Sequence, residues 1–179
     1  MTMLDKWDYS VVDEVCYSDE KQESYKKSAA FLGDTVEDWG CGTGWAKRYF
    51  TNYKGIDGSP GKYVDEVADL VYYTSNCDNI LMREALEYNV EWEKILNNVK
   101  QSFQKKFCLI ISTPFIKKTK ITLKKRIELS DRIVEINEFS FKKQDILDFF
   151  PENEYEVSEE TIVTNHYYNQ DWILYVEKL

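Results

Sequence analysis

A chain of 179 residues can bury one substantial core, and its 43% hydrophobic and 15% aromatic content exclude intrinsic disorder. The net charge of −9 at pH 7 argues against a surface built for nucleic acid, and no apolar run reaches the length of a membrane span. Four cysteines, Cys16, Cys41, Cys77 and Cys108, show no C-x-x-C spacing, which predicts free thiols and no zinc site. With no signal-peptide pattern at the N-terminus, a cytoplasmic location is expected.

Residues 1–17 are polar with scattered hydrophobics, Trp7, Tyr9, Val11, Val12 and Val15 among them, and suit an arm docked over the domain. Ser18 or Asp19 can cap a helix running to about Phe31, with Tyr25, Ala29 and Leu32 at helical spacing and Gly33 and Asp34 as its stop. Thr35 and Val36 open a strand that leads through Glu37, Asp38 and Trp39 into glycines at alternate positions, Gly40, Gly42 and Gly44. The run WAKRYF that follows reads as a short helix. A second strand, GID, ends at Asp57 before the loop Gly58-Ser59-Pro60-Gly61, and NILM forms another strand that runs into REALEYN. From about 89 to 104, Trp92, Ile95, Leu96, Val99 and Phe103 share one helical face, with Asn89 as a cap.

FCLIIS is a continuous apolar strand, the pattern of a sheet buried on both faces. Residues 117–126, KKTKITLKKR, carry six basic side chains in ten, and the alternation of Ile121, Leu123, Ile127 and Leu129 predicts a hairpin turning at 130–132. Those lysines read as a solvated strand edge, the alternative being a surface that steers an anionic acceptor. Ser140 can cap a helix, KKQDILDFF, that stops at Pro151, and EYEVSEETIVT and DWILYVEKL make the two last strands.

The strand, the glycine loop and the helix start together suit a nucleotide-type cofactor. Glycines permit positive φ and close approach of a ligand to the backbone. Dinucleotide folds use G-x-G-x-x-G, with a small residue where Trp45 stands here, and the indole argues against a pyrophosphate. S-adenosylmethionine carries no phosphate, and Asp38, two residues before Gly40, suits its methionyl ammonium. Asp57 lies 17 residues beyond Gly40, where one carboxylate can accept both hydroxyls of a ribose.

VEDWGCGTGWAKRYF resembles the first motif of class I S-adenosylmethionine-dependent methyltransferases, and the resemblance continues over about residues 28–179. It implies a doubly wound Rossmann-like α/β fold, a seven-stranded sheet of order 3-2-1-4-5-7-6 whose last hairpin is antiparallel. It also implies an S-adenosylmethionine site of Asp38, Gly40, Cys41, Gly42, Gly44, Asp57, Gly58, Asp69, Leu70 and Met82. In that scheme Asp69, at the end of the third strand, accepts from the adenine amino group while the next backbone N–H, that of Leu70, donates to the ring. Arg83 and Glu84 would border the transferable methyl group. Compact relatives have histidines where Glu84 and Tyr88 stand here, which leaves Glu84 as the base if burial raises its pKa. His166, the chain's one histidine, falls in the loop of the last hairpin and is a further acceptor-side candidate.

Eleven residues separate Asp57 from Asp69 and nine separate Asp69 from Asn79, too few for full crossover helices. The helices there are expected to be reduced, leaving a flank covered by the N-terminal arm or by a partner such as a second copy of the chain. The expected activity is methyl transfer to a small-molecule, glycan or other metabolite acceptor, with a nucleic-acid end still open. The alternative is a degenerate module that binds the cofactor or a partner without catalysis.

Overall fold

A computed structural model of the chain describes residues 22–128, 133–164 and 168–179. Helix α1 (Gln22–Leu32) leads into β1 (Thr35–Trp39), and β2 (Asn52–Asp57), β3 (Glu66–Val67) and β4 (Cys77–Arg83) follow. Then come α2 (Trp92–Ser102), β5 (Phe103–Ile111), β6 (Lys120–Glu128), β7 (Ile133–Ser140), α3 (Lys143–Leu147), β8 (Tyr155–Val163) and β9 (Gln170–Lys178). Seven strands form one sheet of order β3-β2-β1-β4-β5-β9-β8, and β6 and β7 pair separately as a two-stranded ribbon. With the ribbon set aside this is the expected order, parallel up to β5 and closed by β9 and β8 running antiparallel.

Both faces of the sheet are covered at its centre, which is why β5 is apolar without a break from Phe107 to Ile111. Phe107, Leu109 and Ile111 point to the α2 and α3 side, with Trp39, Ile56, Ile80 and Met82. Cys108 and Ile110 point to the α1 side, with Tyr25, Val36, Leu81 and Ile173. The period-2 alternation therefore separates two cores instead of a wet face from a dry one.

Several local expectations shift. The run after the glycine loop is a single 3-10 turn, Trp45–Tyr49, not an α-helix. Gly44 before it is left-handed at φ +72° with no side-chain cap, and β2 begins by Asn52, so the chain has no length for more. Asn89 does not cap α2; its side chain donates to the Ala85 carbonyl and closes the 3-10 turn Leu86–Tyr88, while Glu91 sits at the N-cap. Phe103 and Gln104 belong to β5 and not to the helix. Ser140 ends β7 and shares a hydrogen bond with Thr122, leaving Lys142 at the N-cap of α3. The helix caps at Ser18 or Asp19, the arm over 1–17 and the turn at 130–132 lie outside the described residues.

The short crossovers contain no helix, the extreme of the reduction expected from their lengths: eight residues join β2 to β3 and nine join β3 to β4. Tyr63 fills the space beside the glycine loop, its Cβ so close that a Cβ on Gly44 would lie 2.3 Å from it. Asn98 of α2 donates to the carbonyls of Leu70 and Val71 at 2.9 and 3.0 Å, fixing the turn after β3. No helix among the described residues is long and apolar enough to cross a membrane.

Candidate active site

The carboxyl ends of β1, β2, β4 and β5 and the start of the antiparallel β9 lie along one rim of the sheet, where α/β folds bind ligands. The glycine loop is tied to β2 at this rim. The N–H groups of Gly40 and Cys41 donate to the Ile56 carbonyl at 2.8 and 3.1 Å, and that of Gly42 donates to Asp57 Oδ2 at 3.0 Å. Gly40, Gly42 and Gly44 have φ of +77°, +55° and +72°, so all three use the left-handed freedom that a side chain would strain. Close approach is used as well, but by the protein's own atoms at two of the three positions. A Cβ on Gly40 would lie 2.4 Å from Ala85 Cβ, and the one on Gly44 would meet Tyr63. Gly58, by contrast, faces open space.

Asp38 is buried and accepts a 2.8 Å hydrogen bond from the Tyr53 hydroxyl. Burial pushes its carboxyl up to about 7, against the Tyr53 bond and with the help of the Asp57 charge. Asp57 is also buried, and both oxygens take backbone N–H groups, Oδ2 from Gly42 and Oδ1 from Ser59, at 3.0 Å each. Each oxygen keeps a second lone pair, so the carboxylate can organise the loop and still accept from a ligand. Asp69 lies in a turn two residues past β3 instead of at its end; its Oδ1 accepts from the Val71 N–H and its carbonyl from Tyr72 and Tyr73. Cys41 is a free, buried thiol in the loop, with Cys77 and Cys108 free as well. Leu70 borders Gly40, and Met82 is fully buried in the core beneath the rim.

The other half of the rim is built from carboxylates. Arg83 is buried, reaches Glu84 Oε1 at 3.0 Å and Asp171 Oδ2 at 3.3 Å, and donates through Nε to Ser24 of α1. Burial opposes its charge, but Glu84, Tyr25 and Asp171 outweigh that and hold its pKa above the ordinary value. Glu84 has φ +48°, a conformation disfavoured for a side-chain-bearing residue, and keeps 19% of its side chain exposed. The Ser112 hydroxyl touches both Glu84 Oε1 at 2.6 Å and Asp171 Oδ1 at 2.8 Å. One hydroxyl has one proton, so it serves one carboxylate at a time. Glu87, on the Leu86–Tyr88 turn, is 1% exposed and accepts from the Ser112 N–H at 3.0 Å through Oε1, while Oε2 has no hydrogen-bond partner. Burial pushes Glu87 up to about 8, with Glu84 and Glu138 adding to the rise. Glu138 of β7 accepts from the hydroxyls of Tyr88 and Tyr168.

The fold thus brings Asp38, the glycine loop and Asp57 together, places Asp69 and Leu70 alongside, and sets Arg83 and Glu84 at the neighbouring rim. His166 lies outside the described residues. Sequence reading passed over Tyr53, Ser112, Glu138 and Asp171, and gave Glu87 no role. Asp171 alone had a signal: an acid opening an apolar strand at the ligand end of the sheet.

No known family profile and no curated protein matches the chain. Solved structures do, and they share its sheet. The 1,6-didemethyltoxoflavin-N1-methyltransferase of Burkholderia thailandensis, bound to 1,6-didemethyltoxoflavin and S-adenosylhomocysteine, is similar at a TM-score of 0.71 with 10% identity, over 95% of this chain and 83% of that one. Magnesium protoporphyrin IX methyltransferase from Synechocystis, with bound S-adenosylmethionine, is similar at 0.62 with 16% identity, over 89% and 80%. The [4+2]-cyclase SpnF is similar at 0.59 with 12% identity, over 87% and 80%. The chain therefore has the fold of the class I S-adenosylmethionine-dependent methyltransferases.

Proposed function

We propose that the chain binds S-adenosylmethionine and transfers its methyl group to a small-molecule, glycan or other metabolite acceptor. The observation that carries this is Asp38: a buried carboxylate at the end of β1, beside three left-handed glycines, on the methyltransferase sheet. The residues present fit the cofactor. Thr43 in the loop holds a buried hydroxyl without a hydrogen-bond partner, and Gly58 leaves open space beyond the end of β2. When bound, S-adenosylmethionine supplies a sulfonium methyl whose carbon accepts a lone pair from the acceptor while the C–S electrons stay on sulfur.

The protein's part is binding, alignment and proton removal. Asp38 would hold the methionyl ammonium, and that cation would keep ionised a carboxylate that burial otherwise pushes up to about 7. Asp57 would take the ribose hydroxyls on its remaining lone pairs, and Asp69 with the Leu70 N–H the adenine edge. Glu84, partly exposed and strained at positive φ, would accept a proton from the acceptor. Alignment supplies most of the rate gain in such a displacement. A binding module without turnover is the second reading, favoured by the pairing of Glu84 with Arg83 and Ser112, which competes with base catalysis.

Isothermal titration with S-adenosylhomocysteine, with NADH in parallel, tests the proposal. Binding of the former, weakened by Asp57→Ala, is the expected result. Binding of NADH alone, or of neither, would overturn it. Methyl turnover from labelled cofactor into an acceptor panel then separates the enzyme from the silent module.

A further inference from the structure

We propose that the acceptor docks on the second half of the rim through a positively charged nitrogen group, an amine or amidinium-like cation, held by Glu87 with Glu84 and Glu138. This rests on the methyltransferase reading only for the statement that the bound cation belongs to the acceptor.

Four carboxylates come together from three segments: Glu84 and Asp171 meet the Ser112 hydroxyl, Glu87 accepts from the Ser112 N–H, and Glu138 accepts from the hydroxyl of the neighbouring Tyr88. Arg83 answers two of them, Glu84 and Asp171. No cation among the described residues pairs with Glu87 or Glu138, although both are buried. A carboxyl buried without a counter-charge is driven toward its protonated form, and a bound cation restores the carboxylate it lacks; such groups are concentrated where ligands bind.

Independently of the charge count, Glu87 Oε2 within this cluster is buried without a hydrogen-bond partner, as is the Thr113 hydroxyl one residue beyond Ser112. An ammonium or amidinium brings several N–H donors and a positive charge, and so answers both deficits at once. A metal ion does not fit: among the described residues no group of three or more His, Cys, Asp or Glu side chains is arranged to hold one. An anionic acceptor would meet four carboxylates, and the lysines of the ribbon segment, Lys117, Lys118, Lys120 and Lys124, are exposed instead of turned toward the cluster. Glu84, with 19% of its side chain exposed, is the point at which the cluster meets solvent.

The test is titration of the protein, with and without saturating S-adenosylhomocysteine, using matched probes: methylammonium against methanol, benzylammonium against benzyl alcohol, guanidinium against urea, and acetate. At least one cation is expected to bind ten-fold or more tighter than its neutral partner, with acetate not binding. Glu87→Gln is expected to cost that cation ten-fold or more while the affinity for S-adenosylhomocysteine stays within two-fold. If no cation outbinds its neutral partner in either state, or if Glu87→Gln leaves cation binding unchanged, the inference is overturned. The S-adenosylhomocysteine titration reads separately: its failure sinks the cofactor reading, while the cation arm of the ligand-free protein still decides this one.

Discussion

Gly40→Ala puts the argument about the glycine loop to a direct measurement. The new Cβ would lie 2.4 Å from Ala85 Cβ, well inside contact distance, and the residue would have to hold φ +77°. The left-handed backbone costs about 1–2 kcal/mol for a residue with a Cβ, and overpacking at a buried contact adds about 1–3 kcal/mol. A loss of about 2–5 kcal/mol is therefore expected in urea unfolding at pH 7. Two causes can be separated by removing the obstructing atom. Ala85→Gly in the Gly40→Ala background should return the overpacking part and leave the backbone part, a coupling of about 1–3 kcal/mol. If Gly40→Ala costs under about 0.5 kcal/mol, or if the second substitution restores nothing, the close packing of the loop on the β4 turn is not what the glycine serves.

Other expectations concern the buried charges. Asp38 and Glu87 have pKa values raised by burial to about 7 and about 8 in the folded protein. Between their unfolded values and these, the folded state binds more protons, so stability is full at low pH and falls as pH rises, by at most about 1.4 kcal/mol per pH unit per group. Asp38→Asn and Glu87→Gln should each flatten that fall between pH 5 and 7 in thermal unfolding; an unchanged slope would show that the carboxyl is not protonated there. Arg83→Met leaves Asp171 and Glu84 facing each other across Ser112 and should cost roughly 3–5 kcal/mol, part of it recovered by adding Asp171→Leu, as read by denaturant midpoints. Asp57→Ala frees the N–H groups of Gly42 and Ser59 and should destabilise by about 2–3 kcal/mol while weakening S-adenosylhomocysteine; full stability with normal binding would contradict its place in the loop.

Local pattern carried the reading far along the main chain. The alternate glycines required left-handed backbone wherever the loop packed, because no other residue reaches that region without strain. Chain length alone limited the helices between Asp57 and Asn79 to single turns or none, since a full crossover helix cannot be fitted into so few residues. FCLIIS announced a strand buried on both faces, and the sheet order followed from the family resemblance. Helix ends were less legible. Asn89 and Ser140 are good caps by residue type, yet a carbonyl of the preceding turn and a hydroxyl of the ribbon took their side chains.

The acceptor side lay almost wholly beyond local pattern. Glu87, Ser112, Glu138 and Asp171 are distant in the chain, and apart from Asp171, an acid opening an apolar strand, each is an ordinary polar residue in its own segment. Their meaning comes from burial and mutual distance, and the sheet and the ribbon create both only when β4, β5, β7 and β9 are brought together. The same holds for Asp38: its position before Gly40 marks it as a ligand group, but only its enclosure beside Tyr53 raises its pKa. Backbone conformation answers to neighbours in sequence, whereas the energy of a charge answers to whatever atoms surround it in space.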